Sequence, residues 1–371
     1  MAFEMTELVG AEFPLFAFSH CRDVVAAVSR AGGFGVLGGA RFSAQSLEQE
    51  LKWIDDHVDG KPYGIDILIP EHQAVRPGTD AETIAAMVPA EHRAFVADLL
   101  RRSGIEAKAE QPQGRATTAY DGEPLLEVAF KHPIRLIANA LGIAPPAMLE
   151  RGRRHGVPVA ALVGAKEHAI RQVNAGVDVI VAQGSEAGGH CGEVSTLVLI
   201  PEVIEAISKI RRVPVLAAGG IMTGKQMAGM MAMGAAGAWT GSVWLATSDS
   251  EVAEVVRDKL VAATSRDTIR SKYRTGKFSR QLRSSWHDAW EAPGAPAALP
   301  MPIMGVLVEP VLQQINTAAA KGNAQARELV TYFVGQGVGM IDGVKSATRV
   351  VQDFKEDFAE AMSTVMAWSE A

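Results

Sequence analysis

Eight short runs dense in Val, Ile, Leu and Ala recur between residues 14 and 241, and a stretch with helical apolar spacing follows each of them. The runs are PLFAF (14–18), GFGVLGG (33–39), YGIDILI (63–69), PIRLIA (133–138), VPVAALV (157–163), VDVIVAQ (177–183), VPVLAAG (213–219) and AGAWTG (236–241). A run that is apolar at nearly every position, rather than at alternate ones, suits a parallel strand covered on both faces. The helical stretches are 22–31, 43–57, 80–103, 146–155, 165–175, 201–211, 224–233 and 251–263. Parallel strands need crossover connections, and helices supply them. Eight such units are the count of an α/β fold of the (β/α)8 TIM-barrel type. A doubly wound sheet shares the alternation, because a linear pattern does not show closure.

Two segments break the pattern. Residues 70–132 are too long for one crossover and contain a polar, strand-poor stretch at 106–124, which reads as an excursion or lid. Beyond 263 the chain turns basic, then rich in Pro and Ala (271–302), then helical (303–334). The expected organisation is a barrel over 1–263 with an insertion after the third strand at 70–132. A smaller, mainly helical cap over the barrel mouth follows at 264–334, and 335–371 return to the barrel. At 371 residues the chain exceeds what one core usually supports, which agrees with a barrel plus additions.

Composition narrows the function classes. A formal net charge of −6 gives no general attraction for nucleic acid or anionic membranes. No apolar run reaches the roughly 18 residues of a membrane span, and the N-terminus is acidic where a secretory leader is basic. Only Cys21 and Cys191 are present, so no disulfide framework is expected and a cytoplasmic location is. His20-Cys21 and His190-Cys191 lack the usual zinc spacings, so no metal site is expected.

Two glycine-rich stretches follow strands and carry the candidate chemistry. In VDVIVAQGSEAGGHCGE (177–193) a strand ends at Gln183 and enters a loop with Gly184, Gly188, Gly189 and Gly192 around His190. In a barrel that loop lies on the face where active sites form, its glycines admit close approach of a flat ligand, and His190 is a candidate general base. In the stretch 213–247, Gly219-Gly220 and Gly241-Ser242 follow the seventh and eighth strands, the place where barrels commonly hold a phosphate on backbone N–H groups.

These residues carry a resemblance. AQGSEAGGHCG and AAGGI…MGAAGAWTGSVWLAT are similar to the signature stretches of the nitronate monooxygenase family, formerly 2-nitropropane dioxygenases, and to those of the related flavin-dependent enoyl-acyl-carrier-protein reductases. PLFAFSH (14–20), GFGVLGG (33–39), KPYGIDILIP (61–70) and YFVGQGVGMID (332–342) extend it over nearly the whole barrel. The resemblance implies FMN held by Ala17, Phe18, Asp66, Gln183, Gly188 and Gly189 around its ring and by Gly219, Gly220, Gly241 and Ser242 at its phosphate. It implies His190 as the catalytic residue, with Gln336 of Gly335-Gln336-Gly337 closing the site; His20, at the C-terminal end of the first strand, is a candidate second polar group by position alone. The activity implied is flavin-dependent oxidation of alkyl nitronates with O2. The alternative is NAD(P)H-dependent reduction of an unsaturated acyl-CoA or acyl-carrier thioester or enone, and a barrel that binds flavin without turnover is a third reading. A small-molecule substrate and a homodimer are compatible with all of these.

Departures from the family pattern bear on the substrate. Many relatives have asparagine where this chain has Asp66, and a carboxylate there would oppose negative charge on a reduced flavin unless protonated. The long excursion and a cap with Trp286, His287 and Trp290 suggest a large substrate. The cluster Lys272, Arg274, Lys277, Arg280 and Arg283 is a candidate contact for an anionic one. RGRRHG (151–156) and LRRSG (100–104) read as solvated helix ends or, alternatively, as seats for the phosphates of an acyl-CoA or pyridine nucleotide.

Overall fold

A computed structural model describes residues 2–106 and 122–369. The centre of the excursion, including nearly all of the expected lid at 106–124, lies outside the described residues. Among those described, the strands in chain order are Leu15–Ser19 (β1), Phe34–Gly38 (β2), Tyr63–Asp66 (β3), Ile137–Asn139 (β4), Val159–Val163 (β5), Val179–Gln183 (β6), Gly189–His190 (β7), Val215–Ala218 (β8), Gly237–Thr240 (β9), Thr268–Ser271 (β10) and Ser279–Leu282 (β11). Strands β1–β6, β8 and β9 pair in parallel and close into one barrel, with Phe16 opposite both Phe34 and Trp239. All eight apolar runs of the sequence therefore form the barrel, and the doubly wound alternative falls.

Alternation along each strand divides the side chains between two layers. Phe16, Phe34, Val36, Leu216 and Trp239 fill the barrel, together with Met5 and Val9 of the helix Ala2–Val9. Leu15, Ala17, Leu37 and Ile65 face outward and pack under the helices. Inside, Phe16 lies parallel to Trp239 with ring centroids 6.2 Å apart and tilts on Phe34 at 5.0 Å.

The eighth helical position departs from the sequence reading. The stretch 251–263 forms the helix Glu254–Ala262, but its buried Val255, Val256 and Leu260 join a second core. The C-terminal helix Ala347–Ser369 instead packs against both Gly224–Ala232 and Arg22–Arg30, which closes the helical ring.

The two segments that break the alternation build that second core together. Val96 and Leu100 of the excursion helix Ala90–Arg102 pack with Trp286, Trp290 and the buried face of the helix Ile303–Ala320. Trp290 meets Phe95 at 4.5 Å, Tyr273 at 5.3 Å and Trp286 at 5.7 Å between ring centroids. Trp286, His287 and Trp290 are at most 1 % exposed, so the sequence suggestion that they serve a large substrate is corrected: they are packing residues. The antiparallel pair β10–β11 extends through β7, which ties the cap to the loop carrying His190. Replacing Trp290 by Ala should cost about 3–5 kcal/mol, the usual range for emptying a fully buried aromatic site. Urea unfolding would read it, and a loss below about 1 kcal/mol would show that the second core is not coupled to the fold.

Candidate active site

The C-terminal ends of the barrel strands open into one cavity of about 1530 Å³, above the roughly 300–1,000 Å³ of ordinary ligand pockets. Phe18, His20, Asp66, Gln183, Gly188, Gly189, His190, Gly219, Gly220, Gly241 and Ser242 all line it. The structure thus brings together residues up to 224 positions apart, such as Phe18 and Ser242. Ala17 and Gln336 are not among the lining residues, and both expectations are corrected. Ala17 belongs to the outward row of β1 and is buried between barrel and helices. Gln336 buttresses the site from behind: its N–H donates to the Glu186 carbonyl at 2.8 Å as the chain enters a 3-10 turn.

The expected phosphate cradle is built from backbone. Gly219 and Gly220 both have positive φ, 114° and 72°, which turns the chain sharply away from β8. Gln226 clamps this turn from the next helix, donating to the Gly220 carbonyl at 3.0 Å and accepting from the Met222 N–H at 2.8 Å. Across from it, Ser242 opens a 3-10 helix, whose first N–H groups have no acceptor within the helix. A Cβ on Gly241 would meet nothing within 4 Å, so the space before that helix end is open. The Ser242 hydroxyl accepts from the Gly335 N–H at 2.8 Å, which leaves its hydrogen free to donate into the cradle. Gly188 has a different cause from the one expected: a Cβ there would strike the Val334–Gly335 backbone at 2.7 Å.

The titratable groups are held in defined states. Burial lifts Asp66 to about 7, so its carboxyl is readily protonated near neutral pH and the objection to a charged group beside a flavin is weakened. Burial lowers His190 to about 4, with Lys277 and Arg274 adding to the effect. His190 Nε2 lies 2.8 Å from Thr275 Oγ1, and that hydroxyl also donates to the Lys277 carbonyl at 3.2 Å. Thr275 thus holds the ring of His190 by its Nε2 edge. Burial lowers His20 to about 4 as well; its Nδ1–H donates to the Gly38 carbonyl at 2.8 Å.

Two cations of the basic cluster, Arg274 and Lys277, line the cavity. Arg274 is 8 % exposed, donates twice to Glu309 at 2.8 and 3.2 Å, and stacks on Phe333 with its guanidinium carbon 4.0 Å from the ring centroid. Lys272, Arg280 and Arg283 turn elsewhere: onto Phe278, the Ser185 carbonyl and Asp288. Arg101, Arg102, Arg151 and Arg154 pair with Asp98, Glu123 or Glu150 and line no part of the cavity. Sequence reasoning missed Thr275, Glu309 and Phe333. A carboxylate in the otherwise uncharged IMGVLVEPVLQQIN was the signal for Glu309; Thr275 and Phe333 offered none. Among the described residues no three His, Cys, Asp or Glu side chains gather as a metal site, and no helix is long and apolar enough to cross a membrane.

Comparison with known proteins bears on this geometry. The family model described as nitronate monooxygenase matches residues 5–357. The chain belongs to the nitronate monooxygenase family. It is similar to a Mycobacterium tuberculosis protein with a provisional monooxygenase name, at 52 % identity over 369 residues and 98 % of each chain. A Staphylococcus aureus relative, provisionally named a nitronate monooxygenase, is 27 % identical over 294 residues, 76 % of this chain and 78 % of its own. Among solved structures, nitroalkane oxidase from Streptomyces ansochromogenes superposes with a TM-score of 0.80 at 26 % identity, covering 98 % of this chain and 100 % of that one. FabK from Thermotoga maritima, at 24 % identity, TM-score 0.72 and 98 % coverage of both chains, shares the fold. The protein is an oxidoreductase, and its family points to a flavin cofactor.

Two glycine substitutions separate packing from ligand space. Gly188→Ala should cost about 1–3 kcal/mol, because backbone must move to admit the methyl group. Gly241→Ala should keep stability within about 0.5 kcal/mol yet weaken flavin binding at least about tenfold, since its methyl would stand only in the cradle. Denaturation together with flavin titration checks both, and equal effects on the two readouts would remove the cradle assignment.

The buried titratable groups also set the acid response. On unfolding near pH 5, His20, His190 and His287, each lowered to about 4, take up protons, whereas Asp66, raised to about 7, releases one. The net is an uptake of two protons, three minus one, so stability should fall by roughly 2–3 kcal/mol per pH unit on acidification there. Urea midpoints between pH 6 and 4.5 test the sign; a rise on acidification would contradict these protonation states.

Proposed function

We propose that this protein is an FMN-dependent nitronate monooxygenase that takes up its substrate already as the nitronate anion. The observation that carries this reading is the charge state around His190. A neutral imidazole with its pKa near 4, faced by Lys277 and Arg274, is a poor base for the α-carbon of a neutral nitroalkane. Lys277 lowers the energy of an anion bound beside it, whereas the charge of Arg274 is largely offset by Glu309. His190 then orients the substrate, and Thr275 fixes the ring.

The residues present suit FMN. The open space at Gly241, the turn at Gly219-Gly220 and the hydroxyl of Ser242 would hold its phosphate, as anions are held at helix starts. Phe18, Gln183 and Gly189 would border the ring, and protonated Asp66 would donate a hydrogen bond to its polar edge without opposing negative charge. When bound, FMN supplies the electron acceptor for the nitronate and the route from there to O2. The protein's part is to hold the anion, keep His190 uncharged and exclude water beneath the cap.

Anaerobic mixing of the FMN-loaded protein with ethyl nitronate should bleach the visible flavin band, whereas NADH and NADPH should leave it unchanged. Neutral nitroethane at pH 6–7 should react at least about tenfold more slowly, and His190→Asn should retain FMN while losing about 10–100-fold in kcat/KM. Bleaching by a pyridine nucleotide, with none by nitronate, would instead favour a reductase of an unsaturated thioester or enone.

A further inference from the structure

One carboxyl at the cavity mouth has no partner within the protein. Side chains alternate along β3, so Tyr63 and Ile65 pack outward under the helices while Asp66 turns inward. Asp66 lines the cavity and is 6 % exposed, and among the described residues its carboxyl makes no hydrogen bond or ion pair. The strand register accounts for this. The neighbours of Asp66 across the sheet are Gly38 on β2 and Ala138 on β4, and neither has a polar side chain to offer. Burying a polar group without a partner is costly, so a bound ligand is the remaining source of one.

The elements packed around Asp66 bring it no counter-charge. After β1, the ring of His20 occupies the space a Cβ on Gly38 would fill, donates from Nδ1 to the Gly38 carbonyl at 2.8 Å and is held neutral by burial. Strands β2 and β4 carry no titratable group. The 3-10 turn after β2 carries Arg41, which pairs with Glu251 at 2.8 Å. The helix Arg22–Arg30 packs through Val24, Val25 and Val28, and its Arg22 turns to Glu50. Lys277, Arg274 and Glu71 line the same cavity, yet none of them moves the pKa of Asp66: burial is the one cause that lifts it to about 7.

We infer that Asp66 is a proton-binding residue linked to the charge of the flavin ring, taking a proton from solvent when bound FMN gains electrons and returning it on reoxidation. The inference rests on the FMN reading and not on the nitronate. A reduced ring tends to carry negative charge, and a like charge nearby raises the affinity of a carboxylate for a proton. The electrons come from the reductant, the proton comes from solvent, and the new O–H bond forms on the Asp66 carboxyl. No bond between Asp66 and the ring is involved. Gly38 and Ala138 leave the carboxyl open to a ring edge, with no protein cation between to offset the interaction. Below about pH 6 Asp66 is already protonated and adds no charge, whereas above about pH 8 its carboxylate opposes reduction.

The test uses the FMN-loaded full chain, reduced with dithionite in the presence of redox dyes. The midpoint potential is read from the flavin band between pH 5.5 and 8.5, for the wild type and for Asp66→Asn, which keeps the shape and a hydrogen-bond donor but does not ionise. The two should agree at pH 5.5, and the wild type should fall below Asp66→Asn as pH rises through about 7. At pH 8.5 the expected gap is about tenfold in the reduction equilibrium, or about 30 mV for a two-electron couple. Asp66→Ala should follow the pH slope of Asp66→Asn even where it binds FMN more weakly, which separates charge from packing. At pH 7.5 the infrared difference spectrum of the wild type on reduction should gain a carboxylic-acid C=O band that both variants lack. A gap of one size at every pH, no gap at all, or the lack of that band would overturn the linkage while leaving the FMN reading in place. A chain that takes up no FMN would overturn both.

Discussion

The loop that follows β6 is clamped on three sides, and the rest of the site depends on that clamp. Beneath it, Glu186 accepts from the Thr196 N–H and hydroxyl at 2.8 and 2.9 Å, which pins the loop to the start of the next helix. Behind it, the Glu186 carbonyl accepts from Gln336 while Ser242 accepts from Gly335, so the segment before the C-terminal helix is seated against two barrel loops. In front, β7 pairs with β11 and brings Thr275 to His190. Gly188 permits this layering because no Cβ stands between the two backbones. Three segments distant in sequence are thereby fixed around one imidazole, whose orientation follows from the clamp.

Burial then sets the chemistry of the groups so fixed. Two histidines at the mouth are held in their neutral forms and an aspartate is raised to about 7, each chiefly because protein surrounds it. Among the charged residues that line the cavity, the cap supplies Lys277, Lys321 and Arg274 with its Glu309 partner, and Arg41, Glu71, Arg171 and Glu251 come from before residue 264. The proposed anion would meet Lys277 there, beside an imidazole that burial keeps uncharged. The cap therefore does more than cover the barrel, since it supplies part of the field in which the barrel's residues act.

Much of the fold was legible because the barrel writes itself locally. Each strand is buried on both faces, so each appears as an apolar run, and every one of the eight runs forms a barrel strand. That Gly219-Gly220 and Gly241-Ser242 line the cavity was legible for a related reason, since they directly follow the seventh and eighth barrel strands. Ala17 and Gln336 were misread because a motif marks a stretch of chain and not the side a residue faces. Strand alternation turns Ala17 outward, and Gln336 contributes its N–H to Glu186 rather than its side chain to the cavity. The helix Glu254–Ala262 has an apolar stripe that would serve either core, and nothing local tells it which to join.

The sequence by itself determined the strand count, the parallel α/β class, the glycine turns that border the cavity, and a histidine on the loop after the sixth barrel strand. These depend on neighbours within a few residues, where backbone sterics and burial periodicity act directly. Only the tertiary structure decided that the excursion and the C-terminal cap share one core and that the last helix completes the ring. It also decided that Thr275 hydrogen-bonds His190 and that Lys277 and Arg274 act on its charge. Those outcomes join residues tens to hundreds of positions apart. Their energies come from packing, desolvation and hydrogen bonds that exist only once the chain has closed on itself.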